Sequence, residues 1–427
     1  MTGRLPGQSR RLDLKCDGWK AITSVRAFSS STGRRVLLLL LGACCLSAGE
    51  ARAQVGRVPV LDRTVPRDEG FKLNFGVGGG YTTNPTFLTA GGVSSRDMNA
   101  DLRAGIANRK TSPRTEWSAR YDAYYTHYGN NSQFDTINHA LNFDGRYLTT
   151  PRSSLSLAER FFYSRNPLQI GASGPADDAV ILTRETKRLR SVSDATFDTS
   201  LSRSLALQAG ASFRVERLDM ANFSDNNTYS ARFGMVARMG EKDSLSSILN
   251  HTHFNYVGAG TVDSTAHGVD VSWSHQPPEG TGWELSAGVS QFTQDRTSQR
   301  LFIGEGSLHH RFRPFDFTVD YRRRLDADAA FATVSVAQDA HAGFSRPVGR
   351  FGSLGVFGEY GTRSSPAEIG VRPPITYTGG GIHGSFAFDP RVSLSFDARR
   401  RQQTADPAAG GDLTYDSILV GLAFQVI

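Results

Sequence analysis

Arginine and carboxylate side chains recur at alternate positions along many short segments of this chain. In one such segment Arg120 and Asp122 alternate with Tyr121 and Ala123. Charges of both signs on one wall of a pore can set a transverse field that orients polar solutes, and arginine adds bidentate contacts to anionic groups. The same charges could instead form cross-strand ion pairs that only satisfy a polar interior. The candidate lumen-facing residues are Arg120, Asp122, Asp144, Arg146, Arg160, Arg214, Glu216, Arg232, Asp316, Asp320, Arg322, Asp397 and Arg399.

These charged positions lie in segments whose side chains alternate strictly between apolar and polar. The segment 204–217 is typical: its apolar positions are Leu205, Leu207, Ala209, Ala211, Phe213 and Val215, and its polar or small positions lie between them. Successive side chains of a β-strand point to opposite faces, so this spacing predicts a strand with one apolar and one polar face. The segments 116–125, 227–239, 315–324 and 392–400 repeat the pattern.

Three features favour a membrane-spanning barrel over a soluble sandwich. The alternating segments are as long as the ~9–11 residues that a tilted strand needs to cross a bilayer. Aromatic residues gather near segment ends, as in Phe161–Tyr163 and at Phe315 and Phe317, which is typical of the girdles at membrane interfaces. Short Gly, Pro and Asp turns alternate with longer polar loops. The predicted fold class is therefore all-β, a transmembrane antiparallel up-and-down β-barrel.

We count about 18 strands, and 16 is the alternative. An even number returns both chain ends to the same side of the membrane. The weakest segments are 244–256 and 299–312, where the apolar face switches within the segment. A β-bulge would explain such a switch, and we predict one in each.

The first 53 residues have the three parts of an export signal. Arg34 and Arg35 precede a short apolar run, and Ala51 and Ala53 precede Gln54 in an A-x-A cleavage pattern. We therefore predict an N-terminal extension plus secretory signal peptide over 1–53, a periplasmic tail over 54–70 and an outer-membrane β-barrel over 71–427. A lipoprotein signal at Cys44 is the alternative.

Removing this leader changes the charge and the cysteine count. Residues 1–53 hold nine of the 48 basic and three of the 41 acidic residues, which leaves 39 against 38 and a net charge of +1. The mature chain therefore lacks the basic excess of a nucleic-acid-binding protein. All three cysteines, Cys16, Cys44 and Cys45, also fall in the leader, so the mature chain can form neither disulfides nor a thiolate metal site.

No catalytic or cofactor site emerges from the remaining motifs. The glycine-rich run 76–80 lies within a strand pattern that no helix follows, so the context of a dinucleotide-binding loop is missing. His251 and His253 could share a strand face as metal ligands, but no third ligand is indicated. We predict no enzyme activity, no metal and no cofactor, with an enzyme in the barrel wall as the minor alternative.

The segment Gly76-Val77-Gly78-Gly79-Gly80-Tyr81-Thr82-Thr83-Asn84-Pro85 resembles the opening strand and first loop of the β-barrel porin 2 group of bacterial outer-membrane proteins. The resemblance extends over about residues 70–427 and consists of the regular succession of β-hairpins. It implies an outer-membrane barrel, often associated with exopolysaccharide loci, and it brings no catalytic residues. One departure is the C-terminus, since outer-membrane barrels usually end in Phe and this chain ends in Ile427.

The predicted function is a porin-like channel for the passive passage of polar solutes across the bacterial outer membrane. The alternative from another class is an outer-membrane component of exopolysaccharide export or surface attachment. Expected partners are outer-membrane lipid, lipopolysaccharide, the barrel assembly machinery and, in the alternative, a polysaccharide. We also predict that the longest loop, 166–186, folds inward through its apolar patch Ala179–Leu182 and narrows the lumen.

Overall fold

The computed structural model describes eleven stretches of the chain. They are residues 70–83, 96–132, 135–164, 188–218, 225–257, 262–277, 280–312, 314–328, 333–366, 374–404 and 412–426. The predicted leader with Ala51 and Ala53, the predicted tail from Gln54 to residue 69, and the loop 166–186 lie outside these residues, while Gly70, the last residue of the predicted tail, begins the first strand. In the described stretches there is no helix long and apolar enough to cross a membrane.

Eighteen strands account for nearly all of these residues. They are β1 (Gly70–Thr83), β2 (Arg96–Thr111), β3 (Thr115–Tyr128), β4 (Thr136–Thr150), β5 (Ser153–Ser164), β6 (Arg188–Ser200), β7 (Leu205–Leu218), β8 (Asp225–Arg238), β9 (Asp243–Val257), β10 (Ser264–His275), β11 (Thr281–Gln294), β12 (Thr297–Phe312), β13 (Phe315–Asp328), β14 (Thr333–Val348), β15 (Gly352–Ser364), β16 (Ile375–Asp389), β17 (Val392–Thr404) and β18 (Leu413–Val426).

The sheet closes on itself. Each strand pairs antiparallel with the next, and β1 pairs with both β2 and β18. The closing seam runs from Leu73 opposite Val426 to Thr82 opposite Ser417. Closure leaves neither end of the sheet as a free strand edge in the lipid, where unpaired backbone groups are costly. The predicted up-and-down barrel of about eighteen strands is confirmed, and the alternative of sixteen is wrong.

The outer face carries a broad belt of exposed apolar side chains. Phe75, Leu102, Phe233, Leu249 and Phe302 expose between 47% and 59% of their surface. A soluble protein rarely exposes so large a contiguous apolar surface. This belt is the lipid-facing side of a transmembrane barrel, and the polar residues that alternate with it face the lumen.

Connection lengths differ between the two ends of the barrel. At one end, the short-turn end, β4 joins β5 through residues 151–152 and β16 joins β17 through 390–391. At the other, the long-connection end, β5 joins β6 through residues 165–187. The exception at that end is a turn of two residues between β11 and β12, where Asp295 has a φ of 53°. Tight hairpin turns require such positive φ angles.

The two predicted bulges are wrong. β9 and β12 pair with their neighbours without a register shift. The shifts that do occur lie at Leu148/Thr150 in β4 and at Ala387/Asp389 in β16. The apolar side chains that switch face, such as Phe254 in β9 and Leu301 in β12, point into the lumen because another part of the chain packs on them there.

The face assignment can be tested at Leu249, near the middle of β9. Leu249→Arg should destabilise the barrel by about 2–4 kcal/mol, the cost of an arginine at the bilayer midplane. Urea unfolding in lipid vesicles measures this change. The control Ser246→Arg places the same side chain on the lumen face of the same strand and should cost clearly less. Equal losses would contradict the assignment.

Candidate functional site

The strand register places all thirteen candidate charged residues on one side of the wall. Strand partners share a face, so the faces can be followed around the barrel from the exposed apolar residues. Arg120, Asp122, Asp144, Arg146, Arg160, Arg214, Glu216, Arg232, Asp316, Asp320, Arg322, Asp397 and Arg399 all lie on the face opposite to the apolar belt. This inner face is the candidate functional site.

On β2 and β3, one carboxylate is held between two guanidinium groups. Asp122 Oδ1 lies 2.9 Å from Arg103 Nη2, and Asp122 Oδ2 lies 2.7 Å from Arg120 Nε. Only 2% of the Asp122 side chain is exposed, and the Arg103 guanidinium also lies 4.9 Å from the centre of the Tyr124 ring. Two cations therefore contact one anion at this part of the wall.

Most of the other candidates contact a single partner, at distances between 2.5 and 3.9 Å. Asp144 accepts a hydrogen bond from Arg160 Nη2 at 2.9 Å, and the Arg160 and Asp144 side chains are 35% and 49% exposed. Arg232 donates to the Thr196 hydroxyl at 2.9 Å. The remaining contacts are Arg146 with Ser154 at 3.5 Å, Glu216 with Arg188 at 2.5 Å, Asp316 with Arg311 at 2.7 Å, Asp320 with His341 at 3.8 Å and Asp397 with Arg399 at 3.9 Å.

The backbone pairing between β12 and β13 starts at the short-turn end and stops before it reaches the long-connection end. Its last pair is Gly304 with Arg323, whereas β13 and β14 stay paired as far as Asp328 and Thr333. The backbone ladder with β12 does not extend to residues 324–328. The Phe302 carbonyl accepts a hydrogen bond from the side chain of Arg323 at 3.0 Å instead. The tip of the β13–β14 hairpin has therefore left the wall.

This tip packs its apolar face against the inside of the barrel. We call residues 324–328 and 333–336 the lumenal hairpin. Val334 is fully buried in a cluster with Phe254 and Phe292. Leu325 packs against the same cluster. Residues of the same β14 face that remain in the wall, such as Phe344, are 36% exposed to the lipid.

A salt bridge holds the other side of the lumenal hairpin. Asp326 Oδ1 lies 2.7 Å from Arg214 Nη1, and Arg214 belongs to β7. In a circular barrel of eighteen strands spaced about 4.8 Å and tilted about 40°, strands six places apart are roughly 30 Å apart. No Arg–Asp pair reaches across that distance from wall to wall. The lumenal hairpin therefore crosses part of the lumen and narrows it at the long-connection end.

The loop 166–186, which we predicted to fold inward, lies outside the described residues, so that constriction stays a prediction. The lumenal hairpin was not predicted. Its signal was the apolar residues on the lumen face, such as Phe254 and Leu301, which we interpreted as bulges.

Beneath the lumenal hairpin, β14 to β17 carry a buried polar network that we did not predict. Arg363 Nη1 lies 2.8 Å from Asp339 Oδ1, and the same oxygen accepts a hydrogen bond from the Tyr377 hydroxyl at 2.7 Å. Arg401 pairs with both oxygens of Glu359 at 2.9 Å. The members come from four strands, so no spacing within a single segment could reveal them.

Three lumen-facing rings lie side by side across β14, β15 and β16. The centroid of the Phe357 ring lies 6.0 Å from that of His341 and 6.0 Å from that of His383. The plane of the Phe357 ring differs from theirs by 24° and 35°, respectively. Nearly parallel rings at this separation are too far apart to be stacked face to face. A Cβ on Gly381 would collide with Phe357, so the glycine leaves room for the ring to lie along the wall. We call these three residues the aromatic platform.

On the outer face, the two histidines singled out as possible metal ligands contact different partners. His251 Nδ1 lies 3.0 Å from His267 Nδ1, and His253 lies 3.8 Å from Asp263. The described residues contain no group of three or more side chains able to hold a metal ion.

At the long-connection end, a carboxylate in the β3–β4 connection forms hydrogen bonds to the end of β3. Asp135 accepts hydrogen bonds from the Tyr128 amide at 2.8 Å and from His127 at 2.7 Å. Partial desolvation opposes its ionisation, but these hydrogen bonds hold the pKa of Asp135 below its ordinary value. A lowered carboxyl pKa contributes stability at neutral pH that is lost as the pH falls through the folded value.

Comparisons with known proteins find similarity in solved structures alone. No family model and no curated protein matches the chain. OccAB4 from Acinetobacter baumannii is 11% identical with a TM-score of 0.42, covering 84% of this chain and 99% of that one. The FrpB iron transporter from Neisseria meningitidis is 8% identical with a TM-score of 0.46, covering 84% and 83%. OpdQ from Pseudomonas aeruginosa is 9% identical with a TM-score of 0.43, covering 83% and 97%.

These similarities do not extend to function. At such identities and TM-scores they say nothing about what this chain binds or transports.

The buried pair Arg363–Asp339 can be tested by removing one partner and then both. Arg363→Met should cost about 3–5 kcal/mol in urea unfolding, because it leaves a buried carboxylate without its cation. The double variant Arg363→Met/Asp339→Leu should recover much of that loss, although the Tyr377 hydroxyl also loses its acceptor. A double variant as unstable as the single one would show that the pairing is unimportant.

Proposed function

We propose that this chain is a porin-like channel of the bacterial outer membrane through which polar solutes pass passively. The observation that carries the proposal is the combination of an apolar outer belt with a lumen lined by charged side chains of both signs. A barrel that served only as a membrane anchor would not need so many charges on its inner face. The predicted export signal agrees with this location.

Passage would be governed by two features of the lumen. The lumenal hairpin narrows the path at the long-connection end, so it would set the size of solute admitted. Below it, pairs such as Asp144 and Arg160 remain open to water and would replace part of a solute's hydration. Fixed charges on opposite walls would orient dipolar solutes as they pass.

The test is single-channel conductance of the refolded chain 54–427 in a planar bilayer. Steady conductance with a linear dependence on salt concentration would support a diffusion channel. A barrel that is folded by its heat-modifiable migration on gels, yet does not conduct, would contradict the proposal.

Ion selectivity tests the charged wall at Asp122. Asp122→Asn removes the anion shared by Arg103 and Arg120, so the reversal potential in a salt gradient should shift towards anion preference. The matched control is Asp263→Asn, which changes a carboxylate in the β9–β10 connection that hydrogen-bonds to Asn255 on the outer face. Equal shifts in both variants would mean that the inner wall does not set selectivity.

The aromatic platform favours a second candidate function, the handling of a polysaccharide. The apolar faces of sugar rings pack on aromatic side chains, and the charged groups Asp397 and Arg399 beside the platform could bind hydroxyl groups. Arg399 lies 5.2 Å from the centre of the Phe357 ring. This arrangement would let a chain of sugar rings slide along the wall.

Blocking by oligosaccharides tests the platform. If sugars bind there, they should interrupt the current of the unmodified channel, and Phe357→Ala should weaken that block while leaving the open conductance nearly unchanged. Phe162→Ala, on the lumen face of β5, is the control and should keep the block. An unchanged block in Phe357→Ala would remove the support for a sugar track.

A further inference from the structure

We propose that the lumenal hairpin is a gate whose open position is the unfinished part of the β12–β13 ladder. The described position, folded into the lumen, is the closed state. In the open state the same residues would return to the wall and pair with β12. This inference rests on the proposed channel function, because a gate acts only if solutes pass through the barrel.

The first support is a vacant strand edge in matching register. Residues 297–303 of β12 pair with β11, and in the described stretches they have no partner on the other side. Continuing from Gly304 opposite Arg323, the next pairs would place Phe302 opposite Leu325 and Arg300 opposite Ala327. Unpaired backbone groups favour such pairing, and the Arg323 side chain now satisfies only the Phe302 carbonyl among them.

The second support is that one face of the hairpin is suited to both positions. Leu325, Val334 and Val336 continue the lipid-facing side of β13 and β14. In the closed state this face packs on Phe254 and Phe292 inside the barrel. In the open state it would face lipid beside the exposed Phe302. The apolar face is therefore out of water in either position.

The polar face also suits both positions. Asp326 lies on the lumen-facing side of β13, where it meets Arg214 in the closed state. Arg324 lies two residues before it on the same face, with its Nη2 3.6 Å from Asp326 Oδ2. Returned to the wall, both side chains would line the lumen with the charges already there. Neither movement buries a charge in lipid.

The closed state is held by two contacts that the open state lacks. One is the salt bridge from Asp326 to Arg214, and the other is the packing of Val334 on Phe254 and Phe292. Opening would expose those two rings to lumen water. Two discrete arrangements of one element, each with its own contacts, are the requirement for a switch.

The experiment uses paired cysteines in the mature chain, which has no cysteines of its own. Arg300→Cys with Ala327→Cys should form a disulfide only when the hairpin joins the wall, since directly opposite strand residues have Cα atoms about 5.5 Å apart. Oxidation should then raise the single-channel conductance, and dithiothreitol should reverse the increase. The control pair Arg300→Cys with Leu325→Cys is two residues out of register and should cross-link poorly.

A second variant tests the closed state without cross-linking. Asp326→Asn should raise the ratio of open to closed time about tenfold, the change expected for losing one charge-assisted hydrogen bond. Asp389→Asn, which changes a carboxylate at the short-turn end of β16 that accepts a hydrogen bond from the Arg391 amide, is the control and should leave the ratio unchanged.

The outcomes separate the gate from the channel. Equal cross-linking of both cysteine pairs, or cross-linking without a change in current, would overturn the gate while a conducting parent chain keeps the channel. If the 300–327 pair cross-links in register but no variant conducts, the hairpin moves and the channel function is wrong. Gel mobility reports the cross-link independently of the current.

Discussion

The structure depends on one constraint: backbone hydrogen bonds in a bilayer must be satisfied within the protein. The pairing of β1 with β18 meets this constraint for the barrel as a whole, because it removes the edges that an open sheet would present to lipid. Within the described stretches, the ladder between β12 and β13 lapses above Gly304. The side chain of Arg323 donates a hydrogen bond to one carbonyl there, and the hairpin that left the wall crosses part of the lumen.

Much of the fold could be predicted from the sequence because each strand has to satisfy two different solvents. Alternation with period two assigns one face to lipid and the other to water, and in β7 the assignment holds at every position from Leu205 to Val215. The same rule misled us where a strand faces protein on the inside. Phe254 and Leu301 are apolar on the lumen side because a hairpin packs on them, and a pattern within one segment cannot distinguish that packing from a bulge.

The candidate site was predictable in part for a related reason. A charged residue such as Asp122 or Arg214 reveals its face through its neighbours in sequence, so the set of lumen charges could be proposed. The partner of each charge could not, because it belongs to another strand. Asp339 and Arg363 lie on neighbouring strands, whereas Arg214 meets Asp326 across the lumen. A pair on neighbouring strands can be inferred once the strand register is known. A pair across the lumen can be inferred only from the path of the chain in three dimensions.

The bridge from β7 to β13 also bears on how the barrel is assembled. Arg214 and Asp326 are 112 residues apart in sequence, and contacts of such separation form late because the intervening chain must first be ordered. Every strand pair of the wall except the β1–β18 seam joins neighbours in sequence, and none of these pairs needs the bridge. A barrel whose wall closes before the hairpin docks would have a wider, more permeable lumen until the bridge forms. The cell that inserts it would have to tolerate that leak, or complete the docking before releasing the barrel into the membrane.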